Sequence, residues 1–428
     1  MSNSFSKEER VAFEDILEGF NDALVLSRNV SIYNTDSSMM ERTNNVIYRP
    51  QPYIAQSYDG MDQTGNFTAY TQLSVPATLG FQKSVPFILD ALELRDALQE
   101  GRLGEAAKQK LASDINLAIM NVAATQGSLV VTVSTAAGDY DDIALCDSVM
   151  NEQGVQSFDR YLALSSRDYN GLAGNIAGGA GGASVSRSFA GNKSNNAFER
   201  SYVGMVAGFE TYKLDYANRL TGATGADPTM STLAAANNFY VPQATQTAVT
   251  GVTQNVDNRF QTITVSSTTN LPVGTAIEIE GVEAVHHITK QGTGFSKTFR
   301  VVSVTNGTTC VITPPIISAQ GGTDAELQYQ NCIVTAAAGR TINRLNTTTA
   351  PVNCFWQKDA LEILPGRYSV PSDAGVAVMR ASTDQGIELV MQKQYDVNTM
   401  KTKYRLDTLF GVVNKQPEMS GILLFNQA

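Results

Sequence analysis

The sequence runs to 428 residues, enough at about 150 residues per domain for roughly three domains or subdomains. Hydrophobic residues make up 43%, so a sizeable core can form, yet only 17% are charged, against about 25% in ordinary soluble proteins. The net charge of −10 argues against a groove that grips nucleic-acid phosphates, and a charge-poor surface repels its own copies weakly, which suits extensive self-association.

The 4 cysteines, Cys146, Cys310, Cys332 and Cys354, are too scattered for a disulfide framework, so a reducing compartment is expected. The first ten residues carry no apolar core of a secretory signal. No apolar run approaches the ~18 residues of a membrane span. These features point to a soluble, Gly- and Thr-rich cytoplasmic protein.

In chain order, Ser6 and Glu9 have the spacing of a capping box, and Phe13, Ile16, Leu17, Phe20 and Leu24 then fall on one helical stripe. That face docks either on the chain's own core or on a neighbouring subunit. From Asn34 to about Leu79 the chain reads as a polar, turn-rich extended hairpin. It holds short strand-like pieces, Val46-Ile47-Tyr48 and Ala69 to Val75. Such a segment buries too little to offset its ordering entropy, so another chain is expected to order it.

Leu89, Leu92 and Leu94 to Leu98 begin a helix that Gly101 and Gly104 weaken. The spacing of Leu103, Ala107, Leu111, Ile115, Ala118, Ile119 and Val122 predicts a longer helix over about Glu105 to Gln126, stopped by Gly127 as a C′ glycine. A mixed α/β region follows. It has strands at Leu129 to Val133 and Tyr161 to Leu164, a helix near Ile143 to Glu152, and a Gly/Ser/Asn-rich loop over Gly171 to Asn196. From about Asp227-Pro228 to Val352 the chain reads as an all-β insertion suggesting a small barrel. Its clearest hairpin is Phe299 to Thr313, turning at Asn306-Gly307 in a type I′ turn. Beyond Asn353-Cys354-Phe355-Trp356, α/β character returns, and Gly386 to Gln392 with Lys401 to Leu406 form a long hairpin.

Catalytic constellations are missing. The only two histidines, His286 and His287, are adjacent, so in a strand they face opposite ways and suit one metal poorly. The run Gly178-Gly179-Ala180-Gly181-Gly182 lacks the Gly-Lys-Ser/Thr ending of a phosphate loop. No Gly-x-Ser-x-Gly elbow is present. Asp141-Asp142 reads as a helix N-terminus or loop. Lys393, Lys401, Lys403 and Arg405 form the only basic cluster, which either meets acidic partners or is solvated. Trp356 beside Phe355 reads as core. No catalytic residue, metal ligand or cofactor is assigned.

The order of segments, with Leu94-Arg95-Asp96, Ala118 to Val130, Val206-Ala207-Gly208-Phe209, Val256-Asp257-Asn258-Arg259-Phe260 and Asn353-Cys354-Phe355-Trp356 in sequence, resembles the major capsid proteins of tailed phages. The resemblance is to the HK97-like fold in the insertion-bearing version of the Lederbergvirus (short-tailed Salmonella phage) coat proteins. It implies an α+β fold with an N-arm at 1–34, an extended E-loop at 35–78, a spine helix region at 79–126 and an A domain at 127–226 and 353–428. A β-barrel insertion domain falls at 227–352, and a P-domain hairpin at about 386–410. It implies a shell of pentamers and hexamers enclosing dsDNA. A scaffolding protein, a portal and a decoration protein are the further partners, and no membrane is involved. In the family the barrel can carry a charged loop between capsomers, whereas Val241 to Val256 has no charged residue. Encapsulin-like compartments share the fold but lack the insertion.

On this reading Phe13, Leu17 and Phe20 clamp a neighbour, and Glu41, Arg42, Arg49, Asp59 and Asp62 offer rim pairs. Lys393, Lys401, Lys403 and Arg405 present the basic hairpin. The alternatives are a β-rich tail or decoration component, which would lack the spine helix, and an enzyme with a pocket around His286 or His287.

Overall fold

The computed structural model describes residues 7–33, 46–52, 55, 57–67, 69–90, 97–138, 140–176, 196–197, 199–230, 239–320, 322–335, 339–370 and 375–427. The chain divides into two units, Met1–Ile47 with Pro76–Met120 and Leu361–Val413, and Tyr48–Val75 with Asn121–Ala360 and Asn414–Ala428.

In the first unit, the apolar stripe of helix Lys7–Ala23 is buried, with Phe13 at 4% and Phe20 at 0% exposure. Ile16 lies against Gly104 and the Lys108 side chain against Gly19, so the two glycines let this helix approach the long helix Ala97–Gln126 closely. The long helix runs unbroken through Gly101 and Gly104. Helix Lys7–Ala23 thus buries Phe13 and Phe20 in its own chain. Ser6 of the expected capping box lies outside the described residues. The Glu9 carboxylate instead accepts from the Tyr404 hydroxyl (2.9 Å) and from Lys393.

Residues Phe81–Asp90 form a strand, not the start of the spine helix. Phe81, Lys83, Val85, Phe87 and Leu89 alternate with period two, and Phe81 and Phe87 stack on Phe410 and Tyr404 at 5.3 and 5.2 Å. The central strand, Lys401–Asn414, pairs antiparallel with Phe81–Asp90 on one side and with Glu388–Asp396 on the other. Ala377–Ser382 and Leu361–Pro365 extend the sheet, and Ser31–Ile32 adds a parallel edge.

The second unit is built on a six-stranded mixed sheet ordered Leu129–Thr132, Ser420–Leu424, Asn353–Gln357, Arg160–Ser165, Phe209–Leu214, Met205–Val206. All five residues of Asn353–Gln357 are buried, with Phe355 and Trp356 at 0% exposure, so burial on both faces replaces alternation at the sheet centre. Helices Tyr140–Glu152 and Ser166–Ile176 pack Ile143, Met150 and Leu172 into the same core. Asp141 and Asp142 sit in the first turn of the former, where the helix dipole favours them. Residues 171–176 of the expected loop are helical, and 177–195 lie outside the described residues.

The insertion is a barrel. Its strands run Thr229–Met230, Arg340–Arg344, Ala276–Val285, Gly292–Asn306, Thr309–Thr313, Gln261–Thr264, and a seventh, Cys332–Val334, pairs with Ala276–Val285 off this path. The ends meet where Met230 bridges Val265 and Ser266 N donates to Thr229 O at 2.8 Å. Closure satisfies both edges and encloses Ile263, Ile277, Phe299, Val301, Ile312 and Ile342, all at 0% exposure. The hairpin near residue 306 exists, but Asn306 pairs with Thr309, leaving Gly307 and Thr308 as the turn. Neither Asn306 nor Gly307 takes a positive φ. Asn306 instead accepts from Thr308 N at 2.9 Å, an Asx turn in place of the expected type I′. Gly127 ends the long helix without left-handed φ; a Cβ there would meet Ala123 O at 2.7 Å and Gly421 N at 3.1 Å.

Candidate functional site

The barrel sits on the α/β sheet through a buried polar network. Lys297, Phe299 and Val301 share the inward side of one strand, which carries Lys297 to 1% side-chain exposure. Its ammonium reaches Glu418 at 2.5 Å and Gln153 at 3.1 Å. Glu418 stands in the 3₁₀ turn Pro417–Met419. The His287 ring nitrogen Nε2 lies 3.1 Å from the other Glu418 oxygen, an ion-pair distance without hydrogen-bond alignment. Burial alone would raise the Glu418 carboxyl, but His287 and Lys297 outweigh it and hold the carboxyl well below the usual carboxylate range.

Around this centre Thr298 donates to Ser128 O (2.7 Å), and His287 N donates to Gln153 O (3.3 Å). Arg259 bridges Asp257 and Asn414 O at 2.6 and 2.8 Å. His286 packs on Gly154, and its Nδ1 accepts from Thr289 N at 3.2 Å. The cavity beside His287 and Glu418 measures about 50 Å³, far below the ~300 Å³ of a ligand pocket.

The same barrel holds the root of the extended loop. Helix Asp324–Tyr329 opens on a capping box between Thr323 and Glu326. At its end Lys290 donates to Gln328 O and Gln330 O at 2.9 and 3.0 Å, and burial pushes the Lys290 pKa down to about 8. The Gln328 amide accepts from Thr71 N (3.2 Å) and donates to Ala69 O (3.1 Å), while the Tyr329 hydroxyl donates to Thr71 O (2.9 Å). Leu73 is buried with Ile317 and Tyr329. The expectation that another chain orders this segment therefore does not hold at its root. Beyond the root, Met61 is fully exposed and Phe67 is 88% exposed. Ser57, Tyr58, Gln63, Phe67, Tyr70 and Gln328 line an open trough that offers no histidine, cysteine or carboxylate among the described residues.

Leu17 is half-buried. Glu41 and Arg42 lie outside the described residues. Arg49 is half-buried, Asp59 is exposed, and Asp62 accepts from Thr64 N and Oγ1 at 3.1 and 2.6 Å. The basic hairpin carries its own counter-ions: Lys393 pairs with Glu9, Lys401 with Asp90 and Lys403 with Asp396 (both 3.5 Å), and Arg405 with Asp407 (2.6 Å). It is a neutralised ladder rather than a free basic patch. The uncharged stretch forms a hairpin, Thr245–Thr247 against Thr253–Asn255, with Val249 fully exposed at its tip.

The four cysteines are buried and unpaired, and burial pushes Cys310, Cys332 and Cys354 up to about 11, 12 and 12. Such thiols are poor nucleophiles. Among the described residues no group of three His, Cys, Asp or Glu could hold a metal, and no helix is long and apolar enough to cross a membrane.

Sequence reasoning missed Lys297, Glu418, Gln328 and Tyr329. Lys297 left a trace, a charge at an inward position of an alternating strand. Gln328 left none, because its partners lie more than 250 residues away.

A family model described as the P22 coat protein, gene protein 5, matches residues 1–426. Among solved structures, the chain is similar to one from Mycobacterium phage Che8, at 10% identity over 94% of this chain and 90% of that one, TM-score 0.43. It is similar to the mature capsid of bacteriophage PhiM1, at 9% identity over 93% and 85%, TM-score 0.42. The CUS-3 coat protein I-domain is 35% identical, covering 29% of this chain and 98% of that one, TM-score 0.23.

Proposed function

The chain belongs to the P22 coat protein family, and from that premise we propose that it assembles as pentamers and hexamers into the icosahedral head of a tailed phage, enclosing dsDNA. It is a major capsid protein, a structural component of the phage head shell. The observation that carries this is the family match across residues 1–426, which takes in the barrel as well as the sheets around it.

The proposed parts are an N-arm at 1–34, an E-loop at 35–78, a spine region at 79–126, an A domain at 127–226 and 353–428 and an insertion barrel at 227–352, with a P-domain hairpin near 386–410, in an HK97-like arrangement. Leu17, Glu41, Arg42, Arg49, Asp59 and Asp62 are proposed assembly contacts, each exposed ion pair contributing about 0–1 kcal/mol. Weak contacts suffice because each subunit makes many, and they let errors anneal. The hairpin residues Lys393, Lys401, Lys403 and Arg405 would act as internally paired groups at such a contact. An acidic wall suits a surface beside DNA to which it must not adhere. A scaffolding protein, a portal and a decoration protein are the proposed partners, with assembly in the host cytoplasm.

The barrel is proposed to brace the subunit and help fix shell curvature. Its closed sheet and buried seat support this. The 30-residue helix Ala97–Gln126 counts against the β-rich tail or decoration alternative. Expression of the chain followed by negative-stain microscopy is expected to show closed shells. Ultracentrifugation yielding only a compact monomer at high concentration would refute the proposal. Deleting residues 227–352 is expected to leave misassembled or aberrantly sized shells.

A further inference from the structure

We propose that the short barrel helix Asp324–Tyr329 is a bracket that sets the pose of the extended arm within the single subunit, before any neighbour is met, with Gln328 as its positioning residue. Residues 69–71 belong to no strand, so their backbone groups need partners from elsewhere. The Gln328 amide accepts from Thr71 N–H and donates to Ala69 C=O. Those are the two groups, flanking one residue, that a neighbouring parallel strand would engage. A side chain thus substitutes for a missing strand. Tyr329 takes Thr71 C=O, and Leu73 closes the contact on Ile317 and Tyr329.

The bracket is itself rigid. Gln328 is 3% exposed, its helix is capped at the start by Thr323 and Glu326, and Lys290 ties the last carbonyls. Two fixed ends leave the Gln328 amide little freedom to follow the arm, so the arm follows the amide. Residues 57–67 then project as a free tip from a fixed root, and a small change at the root becomes a larger displacement at the tip. The consequence for shell geometry rests on the assembly role proposed above; the bracket itself does not.

The test uses the full-length chain with Met61→Cys carrying a spin label. The four native cysteines are buried, which directs labelling to the exposed residue 61. In unassembled protein, Gln328→Ala is expected to increase label mobility and to speed chymotrypsin cleavage at Tyr70, which lies between the two bonded groups, by about tenfold, as the loss of two hydrogen bonds implies. Tyr329→Phe gives a smaller increase, and Leu327→Ala, a change to an exposed neighbour on the same helix, gives none. If Gln328→Ala does not fold, Gln328→Glu keeps the acceptor for Thr71 N–H, loses the donor to Ala69, and gives an intermediate increase. Label mobility and cleavage equal to wild type in both Gln328 variants would overturn the bracket. Shells of mixed diameter from Gln328→Ala extend the effect to assembly. If the wild-type chain forms no shells, the assembly reading fails while mobility and cleavage still decide the bracket.

Discussion

The barrel and the extended arm belong to the same unit but reach order by opposite routes. In the barrel the six strands of the ring each meet two neighbours, the sheet closes on itself at Met230 and Val265, and the enclosed side chains are fully buried. In the arm, residues 57–67 are mostly exposed; its own order is one short ladder, Val46–Pro50 against Ser74–Thr78, and at 69–73 a barrel helix supplies further partners. Stability in the barrel is therefore intrinsic and redundant. In the arm it rests on one short two-stranded ladder and on a few side chains borrowed from the barrel. A subunit built this way can keep a rigid body while offering neighbours a segment with unsatisfied surface. That combination suits a protein whose final contacts lie in other copies of itself.

The largest test of the contrast is Phe299→Ala. It empties a ring site at 0% exposure in the barrel core and is expected to cost about 3–5 kcal/mol in urea unfolding. A cost near 1 kcal/mol would mean that the barrel core is loose. Next, Lys297→Ala removes the ammonium that hydrogen-bonds the buried Glu418 and is expected to cost about 3 kcal/mol. Lys297→Met, which removes the charge but keeps the volume, is expected to cost less. Equal effects from both would show that packing, not charge, holds the barrel on its seat.

The acid response sharpens the same point. Glu418 has a folded-state pKa below the ordinary 4.5, so the unfolded chain binds the proton more readily. Its contribution is complete above about pH 4.5 and is lost as pH falls towards the folded value. Thermal melts from pH 6 down to 3 are expected to show this loss. Glu418→Gln, already lower at neutral pH, is expected to flatten the acid slope. The smallest effect belongs to the arm: Phe67→Ala, at 88% exposure, is expected to change monomer stability by no more than about 0.5 kcal/mol. A larger cost would mean that the tip packs on its own subunit, and the contrast would break.

Much of the fold was legible because its causes are local. The three-to-four spacing from Leu103 to Val122 marks the helix, and Asp141-Asp142 marks a helix start. The turn residues near Asn306 mark a hairpin even though the turn type differs. Where local signals misled, a distant neighbour had intervened. Glycines 101 and 104 read as helix weakeners, yet Gly104 is small because Ile16 lies against it. Gly127 reads as a left-handed cap, yet it is small because Gly421 passes beside it. The candidate site was least legible. The basic hairpin looked like a patch until Glu9, Asp90, Asp396 and Asp407 took up its charges.

By itself, the sequence determined the split of an α/β body by a β insertion, the helix face and the low content of charge, since composition and periodicity act over a few residues. The class of protein came from the family resemblance of its short peptides. Only the tertiary structure decided which polar groups are buried together. Lys297 with Glu418, and Gln328 with Thr71, are separated by more than 120 and 250 residues. No short-range pattern encodes a pairing that exists only after the chain has closed those loops and must then satisfy every polar group it has buried.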